Sequence, residues 1–227
     1  MRYRIEHRPS YPVLKIELAP GETLDAEAGA MMTMLGDVEV KTHAKGGMLA
    51  SLARKIFAAE SFFINTFTAF PVGRGAEIQL VPPYPGDIEY IPLDGVDYII
   101  QDTSYLASHG DVELTVAWRG LRGLFAEGEL VWLKASGYGG VWVTAFGAIT
   151  RMDIPPGEVA TIDNLHFVAM PADIDWSMKR FGGVKSFLLG GEGVVFEVRG
   201  PAALYLQTRV LQPFAQMLYR FMPKSRR

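Results

Sequence analysis

The sequence predicts an all-β protein: three strand-turn-strand units related by pseudo-threefold symmetry, one inserted helix and a C-terminal amphipathic helix. Three observations predict it. Short apolar runs alternate with a period of two, an acidic turn pattern recurs three times at one spacing, and only two stretches carry helical spacing. The length, 227 residues, suits one β domain, and a chain of this size buries roughly 70% of its unfolded surface without staples.

The strands come first. Val13-Leu14-Lys15-Ile16-Glu17-Leu18, Val112-Glu113-Leu114-Thr115-Val116 and Val141-Trp142-Val143-Thr144-Ala145-Phe146 each alternate, and Gly, Pro or Asp clusters bound them. The repeats follow. Pro20-Gly21-Glu22 leads after sixteen residues to Asp37-Val38-Glu39, Asp94-Gly95-Val96 to Asp111-Val112-Glu113, and Pro156-Gly157-Glu158 to Asp173-Ile174-Asp175. Ala30-Met31, Leu106-Ala107 and Ala169-Met170 fall shortly before each Asp. A second block, Phe57–Glu60, Phe125–Glu129 and Phe187–Glu192, precedes an apolar strand in each unit. Closure about an axis would hide edge strands that an open sheet exposes. The units cover about residues 1–88, 89–152 and 153–209 of a single β domain spanning 1–209.

Two segments break the pattern. Met48, Leu49, Leu52, Ile56 and Phe57 have helical spacing and predict a helix inserted in the first unit. Leu211, Phe214, Leu218, Phe221 and Met222 form one stripe of a helix in the tail 210–227, with Pro213 suited to its first turn.

The ordered series of motifs also carries a resemblance. Pro20-Gly21-Glu22 with Ala28-Gly29-Ala30-Met31, the Phe57–Asn65 stretch, Pro83-Tyr84-Pro85-Gly86-Asp87-Ile88, Gly190-Gly191-Glu192-Gly193 and Gln207-Thr208-Arg209 together form its pattern. The chain resembles, over roughly residues 1 to 210, a widespread bacterial and archaeal family. That family includes the mitochondrial biogenesis protein named for altered inheritance of mitochondria. The resemblance implies a fold similar to the tryptophan RNA-binding attenuation protein, a double-stranded β-helix-like unit repeated three times. It implies no catalytic residues, and its mitochondrial member suggests a link to membrane or respiratory-complex organisation.

The residues themselves offer little catalytic chemistry. With no cysteine, disulfide frameworks, thiolate metal sites and cysteine nucleophiles are excluded. His7, His43, His109 and His166 include no His-x-His pair of the kind a β-helix metal site needs. His109 is expected in a turn and His166 on a strand. There is no Gly-x-Ser-x-Gly and no phosphate loop. We therefore expect a protein that is not an enzyme and that needs no cofactor. The recurring acids are the candidates for a ligand or cation: Asp37, Asp111 and Asp173 at one place, Glu60, Glu129 and Glu192 at another. Carboxylates gathered near an axis bind hard cations. An Asp at a recurring corner also caps a turn by bonding its own backbone.

Charge distribution adds one clue. The net charge of −3 argues against nucleic acid as partner. Residues 198–227 nevertheless carry Arg199, Arg209, Arg220, Lys224, Arg226 and Arg227 and no acid, while the rest of the chain holds all 25 acids against 16 bases. Leu211, Phe214, Leu218 and Phe221 with Arg220, Lys224, Arg226 and Arg227 are thus the candidate contact for a sister subunit, another protein or an anionic membrane surface. The start of the chain lacks the unbroken apolar stretch of about 7–15 residues that a secretory signal needs, and no run reaches the ~18 of a membrane span. A cytoplasmic homo-oligomer acting as a scaffold is the expectation.

Overall fold

The computed structural model describes residues 1–44, 63–119, 131–180 and 194–222. Residues 1–80 contain β1 (Arg2–Glu6), β2 (Val13–Leu18), β3 (Thr23–Glu27), β4 (Met31–Gly36), β5 (Val38–Ala44), β6 (Phe63–Ala69) and β7 (Ala76–Leu80). Residues 86–146 contain β8 (Gly86–Pro92), β9 (Tyr98–Gln101) and two long strands, β10 (Tyr105–Arg119) and β11 (Val131–Phe146). Residues 149–207 contain β12 (Ile149–Ile154), β13 (Val159–Asp163), β14 (Phe167–Pro171), β15 (Trp176–Arg180), β16 (Val194–Arg199) and β17 (Ala202–Gln207). Helix α1 (Leu211–Tyr219) follows. The protein is all-β apart from α1 and two short 3-10 turns among the described residues.

Four antiparallel pairings recur in each of these segments. In the first, β2 and β4 flank β7, while β3 and β5 flank β6. In the second, β8 and the start of β10 flank the end of β11, while β9 and the end of β10 flank its start. In the third, β12 and β14 flank β17, while β13 and β15 flank β16. Alternation drives this arrangement: Leu14, Ile16 and Leu18 of β2 point inward and meet Ile78 and Leu80 of β7 in one apolar cluster. A second cluster gathers around Tyr105, Val141 and Val143, and a third around Trp132, Phe167 and Phe196.

Adjacent segments are joined through their sheets. β3 pairs with the start of β10 (Ala26 opposite Ala107, Asp25 opposite Ser108), and β9 pairs with β14 (Ile100 opposite Ala169, Ile99 opposite Met170). Gln207 adds a latch: its amide donates to the Leu165 carbonyl at 2.7 Å while its Oε1 accepts from the Phe146 amide at 3.0 Å. Near the N-terminus, Arg8 forks onto buried Asp87 at 2.8 and 2.9 Å and reaches Glu89 at 2.7 Å. The Asp87 carboxylate beside it pushes the guanidinium pKa further up.

The alternating runs at 13–18, 112–116 and 141–146 all lie in strands, the last two inside β10 and β11. Three details differ from the sequence expectation. Counting from β2, β8 and β12 as the first strand of each segment, the third strands β4, β10 and β14 each carry a register shift, between Met31 and Thr33, Tyr105 and Ala107, and Phe167 and Ala169. Met32, Leu106 and Val168 are therefore the matched positions, which displaces the pairing of Ala30-Met31 with Leu106-Ala107. His109 lies within β10 rather than in a turn, because Gly110 bends the strand at φ +84° without ending it. His166 closes a 3-10 turn (Asn164–His166) just before β14 instead of lying on a strand. The expected helix over 48–57 lies outside the described residues.

Where β10 and β11 pass through this bend, Gly110 faces Gly139. Gly139 has φ +135°, and a Cβ there would meet the His109 carbonyl oxygen at 2.1 Å. Positive φ and a backbone clash act together, so Gly139→Ala should cost about 3 kcal/mol or more of stability. Urea unfolding at constant m-value measures it, and a loss below about 1 kcal/mol would show that the bend tolerates a side chain.

Candidate functional site

Of the predicted acids, the three aspartates lie among the described residues. Asp37 lies between β4 and β5, Asp111 follows the Gly110 bend, and Asp173 sits in the turn between β14 and β15; all three are exposed. Among the described residues, no three His, Asp or Glu side chains come close enough to share a metal ion. Asp37 serves its corner, its carbonyl accepting from the Phe70 amide at 3.0 Å. Asp173 lines an open groove with Asp153, Asp175 and Arg199. A second open groove occupies the corresponding corner of the first segment, beside Glu17, Leu35 and Glu77. Glu60, Glu129 and Glu192 lie outside the described residues, as do Lys224, Arg226 and Arg227.

The predicted contact helix does form, as α1. Phe214 packs on Phe146 with ring centroids 5.4 Å apart, and Phe146 in turn meets Tyr84 edge-on at 6.0 Å. Beyond that stacking, no residue of α1 is buried. Leu211, Met217 and Leu218 are about half exposed, and Tyr219, Phe221 and Met222 more so, with Arg220 among them. Six apolar side chains besides Phe214 therefore face outward on and just past one short helix.

Sequence reasoning missed one acidic cluster, at the joint between the first two segments. Glu27 ends β3, and burial pushes its carboxyl from the ordinary 4.5 up to about 7, with the nearby Asp102 carboxylate adding to the shift. Burial likewise pushes the Tyr84 and Tyr105 phenols up, and Glu27 contributes to both. Tyr84 donates to the Thr103 carbonyl at 2.7 Å, and Tyr105 shares a 2.8 Å hydrogen bond with Ser108. The joint itself accounts for the shift, since pairing β3 with β10 withdraws a carboxyl at the strand end from water. Matched spacing could have flagged the position: the residues equivalent to Glu27 are Gln101 and Asp163, both polar at the end of an apolar strand.

A second polar group lies among aromatic rings. His109 stacks at 5.8 Å on Tyr90, hydrogen-bonds its hydroxyl through Nε2 at 2.9 Å, and borders Trp142 at 5.2 Å. Burial lowers the imidazole pKa, and the N-terminal ammonium lowers it further against an opposing pull from Glu22. His109 is thus a neutral, hydrogen-bonded wall of the core. His166 donates through Nδ1 to the Gln207 carbonyl at 2.6 Å and belongs to the same latch as Gln207.

The family model described as mitochondrial biogenesis AIM24 matches residues 3–209. The chain belongs to the AIM24 family. It is 28% identical over 233 residues to an uncharacterised protein of Streptococcus pyogenes serotype M6, covering 99% of this chain and 92% of that one. It is also similar to the X-ray crystal structure of a Streptococcus pyogenes protein, with a TM-score of 0.79 and 26% identity. That alignment covers 97% of this chain and 99% of the other. The AIM24 match stops at residue 209, so α1 lies just beyond it. No helix among the described residues is long and apolar enough to cross a membrane.

The Glu27 joint generates a pH dependence. The folded protein keeps the Glu27 proton to about pH 7, whereas the unfolded chain releases it near 4.5. Between those values the native state binds more protons, so this group costs stability progressively as pH rises. Glu27→Gln should leave stability unchanged near pH 4 and raise it by on the order of 1–2 kcal/mol at pH 8, allowing for partial solvent screening. Urea titrations of both proteins at the two pH values check this. An equal effect at both would assign the gain to packing.

Proposed function

We propose that this AIM24-family protein is a non-catalytic interaction scaffold. Its β domain is one double-stranded β-helix-like unit repeated three times, and it works as a cytoplasmic homo-oligomer. The observation that carries the reading is α1. A helix whose Phe214 stacks on Phe146 of the domain while six other apolar side chains on and just past it turn outward is built for contact with something else. The recurrence of the same four strand pairings supports the unit, and a rigid β body supports display of such a helix. A link to membrane or respiratory-complex organisation comes only from the family name and fits the same surface.

Native mass spectrometry of the full chain tests the scaffold reading, before and after treatment with a chelator. The expected result is a clean integer multiple of 25.1 kDa that the chelator does not change. A reproducible extra mass per chain would overturn it in favour of a ligand- or cation-binding protein, with Asp37, Asp111, Asp173, Glu60, Glu129 and Glu192 the first positions to substitute.

A second reading, peripheral membrane binding, is favoured by the outward apolar side chains of α1 beside Arg220 and the basic tail. Each cation near an anionic surface contributes about 1 kcal/mol, and the contribution falls with salt. Co-sedimentation with anionic phosphatidylserine vesicles at low salt should then be lost on deleting residues 210–227. Equal sedimentation of both proteins would sink this reading.

A further inference from the structure

Among the described residues, the chain makes one kind of sheet joint twice and leaves the two halves of a third unpaired. In each joint made, the free edge of a second strand receives the third strand of the next segment: β3 takes the start of β10, and β9 takes β14. By the same pattern β13 would take a strand equivalent to β10 and β14, and that equivalent is β4. β4 and β13 are not paired with each other. β4 ends the sheet β1-β2-β7-β4, and β13 ends the sheet β13-β16-β15.

Burial marks the missing partner. Tyr105, Leu106 and Ala107 are 0% exposed and Ser108 is 1%. Phe167, Val168, Ala169 and Met170 are all 0% exposed. The matched positions in β4 are Met31, Met32, Thr33 and Met34. There the methionines stand 44%, 47% and 40% exposed, Thr33 is exposed too, and the next residue, Leu35, is 72% exposed. β4 keeps the register shift found in the other two third strands, so it has the backbone shape of a strand already in a joint. It carries no charge and no proline, the devices that ordinarily blunt an open edge. On the other half, Val159 is 46% exposed and Thr161 is also exposed, whereas Ile99, which matches Thr161, is 7% exposed under β14.

We propose that β4 of one copy pairs with β13 of a second copy, head to tail, remaking the joint that the chain makes twice internally. This rests on the reading of the protein as a self-associating scaffold and names how it associates. The register follows from the two joints observed. Ser108 opposite Asp25 and Met170 opposite Ile99 place Met34 opposite Thr161, and Ala107 opposite Ala26 places Thr33 opposite Ile162. Because the two surfaces differ, each copy keeps one unused half of each kind, so the assembly is a closed ring or an open filament according to the rotation per step.

The chain has no cysteine, which makes the register directly testable by cross-linking. Residues directly opposite on antiparallel strands have Cα atoms about 4.5–5.5 Å apart, within disulfide reach. Met34→Cys and Thr161→Cys, both at exposed positions, are purified separately, mixed and oxidised. The expected result is a covalent heterodimer in the mixture, which reductant removes. The double variant in one chain should give a ladder of covalent multimers on a denaturing gel. Homodimers of Met34→Cys alone would overturn the proposal by showing that β4 meets its own copy. An internal disulfide within monomers of the double variant would also overturn it, since the edges would then close within one chain. Absence of any cross-link, with circular dichroism showing both variants folded, would do the same. None of these outcomes touches the scaffold reading, which falls instead on an added ligand mass in the native spectrum.

Discussion

Backbone hydrogen bonding at strand edges is the constraint on which the structure depends. A strand placed between two others satisfies its N–H and C=O groups on both sides, and only then can the side chains around it be withdrawn from water. β10 and β14 occupy such positions, and their shared register shift sets Leu106 and Val168 into the core at the points where neighbouring segments meet. The three apolar clusters follow from that. Each draws residues from more than one segment, as when Leu106 and Trp142 of the second complete the cluster built around β2 and β7 of the first. The apolar clusters therefore cross the boundaries between segments rather than closing within one.

The same constraint explains the costs the fold carries. Turning β10 and β11 from one neighbour to another needs a bend without a break, and glycine at positive φ supplies it where a Cβ would strike the opposite strand. Pairing β3 with β10 also withdraws Glu27 from water beside Asp102, although a carboxylate gains nothing there. The joint wins because it satisfies a row of backbone groups and buries Leu24, Ala26 and Ala107 completely, against the penalty on a single acid that can keep its proton. Gln101, at the matched place in the second segment, meets the same dry environment without a charge to lose.

Much of this was legible in the sequence and some was not. Alternation located β2 and the interiors of β10 and β11. What failed is what depends on single residues or on partners. A β-bulge inserts one residue without changing composition, so Met32, Leu106 and Val168 could not be matched by eye. A glycine that bends a strand reads like one that ends it, which moved His109 from an expected turn into β10. Met31, Met32 and Met34 look like core residues, because sequence records what a strand can bury and not whether a neighbour is present. Glu27 was missed because a lone acid at a strand end resembles any solvated one until a second strand covers it.

Magnitudes decide how far an open edge such as β4 can drive association. Fully burying a Met or Leu side chain contributes about 1.5–3 kcal/mol, and Met31, Met32, Met34 and Leu35 have roughly half or more of that still to gain. Together with a few edge hydrogen bonds at about 1 kcal/mol net each, one joint yields on the order of 5–10 kcal/mol. Losing the freedom of one copy costs about 4–15 kcal/mol, so a single joint lies near balance. Ring closure alters that sum, because the last joint forms between ends already held together and no further freedom of that size is lost. A head-to-tail edge of this strength therefore favours a closed ring over a dimer. In such a ring, an edge with no charge and no proline would be covered on every copy.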